Sequence, residues 1–468
     1  MRKVYLALLF LFLIVSCKKD ARVNMPLTKD GIPVTVKLEQ NKPGNSISPQ
    51  FEGLSYETQL LINSPNYLNV NNTSLIQMLK SLGPGILRIG GNTSDEIAWQ
   101  GTERTPLTPA NTLTTSDVDK LAAFADVTGW KVLFGLNLGN NDVGAAVDEA
   151  AYVAGRLKNN LYLLQFGNEP DVFHLYNHRS PVYNYDGFKA DWEAYYNAVI
   201  MRLPGAPLAG PDVAYNGDWI RWFAQDESSH VKLFSGHHYN CGPASKADIN
   251  YKTILAPNYI FPNFLQTLSA SAAKYNIPFR ISECNSVYGG GKPGVSNVFA
   301  ASLWALDMMW QVAESNAEGV NFHGGNGLFY SPISTENGKV GPVYYAMLAF
   351  KYGSKNGVII PTTLITTQEV NCKTYASANT DNSYSVTLIN KGEKDILFTL
   401  ALSRNASTAK EERLSAPAIT SADGISFSNS TVSANGTFTP SSTENISISN
   451  KSFTVTVKGS SAAVVTIR

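Results

Sequence analysis

Between residues 51 and 352, short apolar runs alternate with stretches of helical patterning, and few architectures accommodate that rhythm. The runs are Phe51–Tyr56, Ile86–Ile89, Lys131–Asn137, Leu161–Phe166, Pro207–Gly210, Val231–Gly236, Pro278–Ser282 and Gly319–Phe322. The segments between predict helices at Thr73–Leu82, Thr115–Thr128, Gly144–Leu157, Phe188–Arg202, Trp219–Gln225, Pro262–Tyr275, Val298–Ser315 and Pro342–Tyr352. Strands separated by helices argue for βα units and a parallel sheet. Eight such units over roughly 300 residues predict a (β/α)8 TIM barrel across residues 41–352. The alternative is a doubly wound sheet, which lacks support because no G-x-G-x-x-G follows the first run.

After Tyr352 the texture changes. Short alternating runs such as SYSVTLIN (383–390), DILFTLAL (395–402), SFTVTVKG (452–459) and AAVVTIR (462–468) are separated by Ser, Thr, Asn and Gly turns. This pattern predicts a C-terminal antiparallel β-sandwich. The run VTVKL (34–38) has no barrel partner, so residues 32–40 are assigned with 353–468 to this second domain.

At the N-terminus, Met1-Arg2-Lys3 precedes an apolar run from Val4 to Val15, of signal-peptide length and short for a membrane span. Ile14-Val15-Ser16-Cys17 resembles a bacterial lipobox, which implies a signal peptide at 1–17, lipidation of Cys17 and a polar tether at 18–31. An ordinary signal peptide with a chance cysteine is the other reading. With no further span-like segment, the expectation is a cell-envelope protein, periplasmic or on the surface, touching the membrane only through its lipid.

Thirty-seven Lys and Arg balance 37 Asp and Glu, so the chain offers no general field for nucleic acid or a long polyanion. Cys241, Cys284 and Cys372 are too widely spaced for a disulfide framework and lack the CxxC spacing of a zinc site. Cys284 reads as a small buried filler rather than a catalytic thiol.

Barrel enzymes place their chemistry where the strands end. Here those ends carry Glu57, Asp95, Asn137, Asn168-Glu169, Asp212, His237-His238-Tyr239, Glu283 and His323. So many polar groups would cost desolvation without partners, and together they argue for a polar pocket. Glu169 follows the fourth run and precedes Pro170, which cannot donate to a sheet and leaves the carboxyl at the rim. Glu283 follows the seventh run. Two carboxyl groups are what glycosidic cleavage needs, with Glu169 as general acid/base and Glu283 as nucleophile. Retention of configuration predicts a separation of about 5–5.5 Å. Read singly, Glu169 could belong to a turn and Glu283 to a surface ion pair. His237 and His238 must point to opposite faces of a strand, which argues against a metal site. Trp304 and Trp310 lie in a predicted helix and read as core, whereas Trp99 could stack on sugar. The mechanism needs no cofactor.

LRIGGNTSD (87–95), QFGNEPD (165–171), SGHHYN (235–240) and ECNSVYGGG (283–291) together resemble glycoside hydrolase family 79, the β-glucuronidases and heparanases. The resemblance spans most of the barrel, and the glutamate-to-YGGG spacing is its most specific element. It implies Glu169 as acid/base and Glu283 as nucleophile. It also implies that Tyr288, Gly289 and Gly290 hold the substrate carboxylate, with Tyr330 completing the grip. Glu57 and Asp95 are implied as ligands of sugar hydroxyls, Asn168 as a contact to the 2-hydroxyl, and His237 and Tyr239 as neighbours of the nucleophile. Phenol hydroxyls and glycine N–H groups can bind a uronate without adding a full charge beside the catalytic pair. Glu57 stands where animal heparanases carry aspartate, and the neutral chain does not resemble a heparin-binding surface. The expected activity is therefore retaining exo-β-glucuronidase action, releasing terminal β-linked glucuronate from a glycan. Another retaining barrel glycosidase (β-xylosidase or galactanase type), an endo-acting heparanase-like hydrolase and a non-catalytic glycan-binding lipoprotein are the alternatives.

Overall fold

Eight parallel strands close on themselves: β1 (Glu52–Glu57), β2 (Ile86–Gly90), β3 (Lys131–Leu136), β4 (Leu161–Phe166), β5 (Leu208–Val213), β6 (Leu233–Cys241), β7 (Phe279–Val287) and β8 (Gly319–Gly324). Closure is made by β8 pairing with β1, where Val320 faces Glu52 and Gly324 faces Tyr56. The structure is a computed structural model that describes residues 31–403, 405–448 and 451–468. The expected targeting segment with Cys17, and the tether up to residue 30, lie outside the described residues.

All eight expected strands are present, but β6 and β7 run five residues past their expected ends at Gly236 and Ser282. His237, Tyr239 and Glu283 therefore lie within strands rather than in the loops after them. Polar residues normally signal a strand's end. Here they stay in the ladder, Glu283 opposite His237 and Asn285 opposite Tyr239, because their side chains find partners across the barrel: His237 with Glu169, Tyr239 with Glu283, and Asn285 with the His323 and Tyr330 carbonyls.

The helices start where short polar side chains cap them. Asn72 accepts from the Leu75 N–H, and Thr114 with Asp117 forms a capping box for Thr115–Thr128. An unanticipated pair of short parallel strands, Ala98–Gln100 and Thr112–Thr114, precedes that helix. Helices Phe299–Glu314 and Pro342–Ser354 are apolar almost all round because the barrel covers one side and the sandwich the other. Trp304 and Trp310 are both buried, and Trp310 stacks on Tyr375 of the sandwich with centroids 5.5 Å apart.

The sandwich has a four-stranded sheet, in the order Thr362–Ile365, Ile32–Leu38, Ile396–Ala401, Ser452–Val457, and a seven-stranded one. The N-terminal strand joins the first sheet as expected. It lies parallel to Ile396–Ala401, an exception to the otherwise antiparallel pairing. Parallel pairing is open to it because no hairpin turn links the two strands.

Inside the barrel, at the end away from the chemistry, Arg280 is fully buried and donates to Asn321 Oδ1 and to the carbonyls of Gln50 and Phe51. A Cβ at Gly319 would meet the Phe51 carbonyl at 2.1 Å and one at Gly53 the Arg280 guanidinium at 2.7 Å, so glycine is required at both. This plug closes one end, and the polar pocket opens at the other.

Candidate active site

The strands that carry the pocket break their regular alternation where the functional side chains emerge. Between β6 and β7, Ile281 pairs with Gly236 and Glu283 with His237, which leaves Ser282 as an extra, bulged residue. Between β5 and β6, Pro211 pairs with Ser235 and Val213 with Gly236, leaving Asp212 extra, with φ +61°. A bulge re-aims the side chains beside it. Ser282 and Glu283 both reach inward in consequence, Ser282 Oγ donating to Asp212. Three residues past the end of β4, Glu169 adopts φ +52°, with its N–H bonded to the Asp212 carbonyl at 2.9 Å. That conformation is costly for glutamate, and the turn into the 3-10 helix Pro170–Leu175 holds it.

Glu283 is anchored at both oxygens. Arg88 Nη1 donates to Oε2 at 2.7 Å and Tyr239 Oη to Oε1 at 2.7 Å, while His323 Nδ1 lies 3.5 Å from Oε2. Burial alone would raise the Glu283 pKa, but the charges of His323, His237 and Arg88 outweigh it and bring it to about 2. Glu283 thus stands ionised at neutral pH.

Glu169 has the opposite environment. Burial raises its pKa, the bond to His237 pulls it partly back, and the Glu283 charge pushes it up again. His237 Nδ1 lies 2.9 Å from Glu169 Oε1, and its Nε2 is 3.1 Å from Asp212 Oδ2. Burial disfavours a charged imidazole, yet Asp212 and Glu283 raise His237 to about 10. It is therefore a cation between carboxylates. Asp212 is held well below the usual carboxylate range despite burial, by Arg88 and His237. Two carboxyls with pKa values driven apart are the signature of an acid and a nucleophile sharing one site.

One oxygen of Glu169, one of Glu283 and a ring nitrogen of His237 lie within 4.8 Å of one another. Three ligand-type atoms so close could suggest a metal. His237 as an imidazolium offers no lone pair, however, so the arrangement suits a proton better than a cation.

Above the pair lies a cleft of about 1040 Å³, and Glu57, Glu169, His237, Tyr239, Glu283, Tyr288, Gly289, Gly290 and Tyr330 are among its walls. Among the described residues that line it there is no lysine or arginine. Glu57 accepts from the N–H and hydroxyl of Thr93 at 2.8 and 2.6 Å and remains partly exposed. Tyr330 packs against Tyr239, ring centroids 6.0 Å apart. Tyr288 is half exposed over Gly242, where a Cβ would meet its ring at 2.2 Å. Gly289 and Gly290 have φ of +83° and +92°, a backbone shape that strains any other residue.

Two expectations are corrected. Asp95 does not face the cleft. It is buried, and its oxygens accept the N–H groups of Leu138, Gly139 and Asn168 at 2.9, 2.8 and 2.7 Å. It braces the backbone under Asn168 rather than presenting a ligand to sugar. Asn168 is also not a wall residue: its Oδ1 accepts from Arg88 at 2.8 Å, and its Nδ2 donates to Asn92 at 2.8 Å. Asn92 and Tyr176 line the cleft in its place.

Arg88 was absent from the expected site although it sits inside LRIGGNTSD. Its Nη2 donates to Asp212 at 2.7 Å and its Nη1 to Ser55 at 3.0 Å as well as to Glu283. Asp212 and His323 stood among the strand-end residues without a role, and both now touch the pair's surroundings. The signal for Arg88 was a cation inside an apolar run, which has to be paired if buried. His238, as alternation requires, turns away from His237 and stacks on Phe261 at 4.0 Å.

A family profile described as Glycosyl hydrolase family 79, N-terminal domain, matches residues 193–310. A β-glucuronidase of Aspergillus niger is 24% identical over 297 residues, 54% of this chain and 54% of that protein. One from Neurospora crassa is 24% identical over 373 residues, 68% and 65% of the two chains. A heparanase of Gallus gallus is 22% identical over 343 residues, 58% and 63%. The match thus spans about half to two thirds of the length of these curated relatives. Among solved structures, a 4-O-α-L-rhamnosyl-β-D-glucuronidase from Fusarium oxysporum superposes with a TM-score of 0.74 at 21% identity, covering 91% of this chain and 97% of that one. A GH51 arabinofuranosidase from Xanthomonas axonopodis superposes with a TM-score of 0.72 at 15% identity, covering 93% and 100%. At such identities the structures speak for the fold alone. The family profile over residues 193–310 and several relatives at 22–24% identity make the chain similar to glycosyl hydrolase family 79.

Proposed function

We propose that the protein is a retaining glycoside hydrolase that releases terminal β-linked glucuronate by double displacement. The observation that carries the retaining part of this reading is the closeness of the pair, one oxygen of each lying within 4.8 Å of the other. An inverting enzyme holds its carboxyls about 6.5–9.5 Å apart to seat a water between them, and a retaining one about 5–5.5 Å apart.

In the first step Glu283, ionised and held by Arg88 and Tyr239, attacks the anomeric carbon. Glu169 gives its proton to the departing oxygen. In the second step Glu169, now a carboxylate beside His237, takes a proton from water, which displaces Glu283 and frees the sugar. Tyr288, Gly289 and Gly290 are proposed to bind the substrate carboxylate, with Tyr330 beside them and Glu57 taking a sugar hydroxyl. Endo cleavage of a sulfated glycan is the weaker reading, because the described residues of the cleft walls include no lysine or arginine to meet sulfate. Attachment to the cell envelope through Cys17 is a separate proposal, and labelling with a radioactive fatty acid in wild type and Cys17→Ala tests it.

The test of the activity is proton NMR during hydrolysis of an aryl β-glucuronide. The β-anomer of glucuronate should form first and mutarotate later, and Glu283→Gln should abolish turnover. Early appearance of the α-anomer overturns retention. Cleavage of an aryl β-xyloside but not of the glucuronide overturns the sugar assignment, and binding without turnover of any glycoside favours a non-catalytic role.

A further inference from the structure

We infer that the leaving-group side of the cleft is an apolar subsite, built for an aryl or other hydrophobic aglycone rather than for a further sugar. The inference rests on the glycosidase reading above and deepens it.

The general acid must stand beside the leaving oxygen. Whatever is attached to that oxygen meets the walls next to Glu169 on the side away from Glu283. The chain directly after Glu169 forms the turn Pro170–Leu175, and the turn after β5 packs against it. Asp171 makes that contact specific, its carboxylate accepting the N–H groups of Ala214 and Asn216 at 2.9 and 3.2 Å. The Tyr215 N–H also points at that carboxylate, at 3.4 Å, which fixes Tyr215 beside the turn. Helix Ile260–Tyr275 supplies a further wall.

The large apolar side chains presented there are Leu175 (65% exposed), Tyr215 (71%) and Ile260 (77%), underlain by buried Val172 and Phe264, with Asn263 and Thr267 of the same helix also lining the cleft. A single exposed leucine is ordinary. Several large apolar side chains around one cleft, next to the acid, are a patch with a use. Leu175 and Ile260 in particular offer sugar hydroxyls nothing to bond, while each would shed water on meeting a ring. The lack of lysine and arginine on the described walls removes the charge that an acidic or sulfated saccharide on that side would need.

The test compares three substrates that share the sugar: methyl β-glucuronide, 2-phenylethyl β-glucuronide and a β-glucuronyl-glucose disaccharide. Their leaving alcohols are of similar acidity, so differences in kcat/KM report the subsite and not the chemistry. The phenylethyl compound should be preferred by about tenfold over both others, the scale expected for covering part of one ring. In the variant carrying Leu175→Ser and Ile260→Ser that ratio should fall to within about twofold of one. Because the ratio is read within each protein, a loss of folded enzyme cancels. A ratio near one in wild type, an unchanged ratio in the variant or preference for the disaccharide overturns this inference while leaving the glucuronidase reading in place. No turnover of any of the three overturns the sugar assignment and this subsite with it.

Discussion

Arg88 and Glu283 form a buried ion pair, Nη1 to Oε2 at 2.7 Å, with side chains 1% and 8% exposed. The other nitrogen of the same guanidinium holds Asn168 and Asp212. Nη1 also donates to Ser55 of β1 and Nε to Gln165 of β4, so one planar fork ties strands β1, β2, β4, β5 and β7 together beneath Glu169 and Glu283. A lysine is a point charge and cannot span these partners. Arg88→Lys should lower kcat/KM by about 100-fold or more, since a misplaced nucleophile is costly. Arg88→Ala should destabilise the fold by about 3–5 kcal/mol, leaving Glu283 and Asp212 buried with less compensation. Steady-state kinetics and urea unfolding measure the two, and near-normal activity in Arg88→Lys would contradict the role given to the fork.

The pH dependence follows from the opposed carboxyls. On the proposed mechanism, turnover needs Glu283 ionised and Glu169 protonated. Glu283 sits at about 2, where burial is outweighed by His323, His237 and Arg88, so no acid limb from it should appear above about pH 3. Burial raises Glu169 above the usual glutamate range, and kcat/KM should fall as pH rises through that value. The His237 charge lowers Glu169, so its removal in His237→Gln should move the alkaline limb to higher pH. A move to lower pH would show that the imidazolium does not act on Glu169 in this way.

Asp95 distinguishes a brace from a ligand. In Asp95→Asn the amide keeps one acceptor and turns an NH2 toward backbone N–H groups that need an acceptor. The expected cost is about 1–3 kcal/mol in stability, with a fall in kcat and little change in KM. A large rise in KM with stability intact would instead mean that Asp95 touches substrate.

Tyr288→Phe removes a hydroxyl and keeps the ring over Gly242. If that hydroxyl binds the substrate carboxylate, the preference for an aryl β-glucuronide over the matching β-glucoside should fall by about tenfold, the scale of one hydrogen bond to a charged group. Unchanged preference would move carboxylate recognition elsewhere in the cleft.

Much of this molecule is legible in its sequence. The βα rhythm located every barrel strand, because a buried run followed by an amphipathic stretch is a local pattern. Glu169 and Glu283 could be found by their places after the fourth and seventh runs. Arg88 could not be assigned in the same way, since the groups that accept its hydrogen bonds, Ser55, Asn168, Asp212 and Glu283, are 33 to 195 residues distant along the chain. Asp95 and Asn168 were given to the substrate because a polar side chain at a strand end shows no sign of which backbone it will brace.

The sequence by itself determined the barrel and the added sandwich, and it pointed to the two glutamates that the structure brings together. Which side chains turn inward was decided only in the tertiary structure. Period-two alternation puts Ser282 and Glu283 on opposite faces, and the bulge against β6 brings both in. Asp212 enters by the same device on β5, and Glu169 by a left-handed turn whose N–H bonds to the Asp212 carbonyl. A bulge exists only relative to the strand beside it. The depressed pKa of Glu283 and the raised one of Glu169 depend on charges that those same pairings bring within reach.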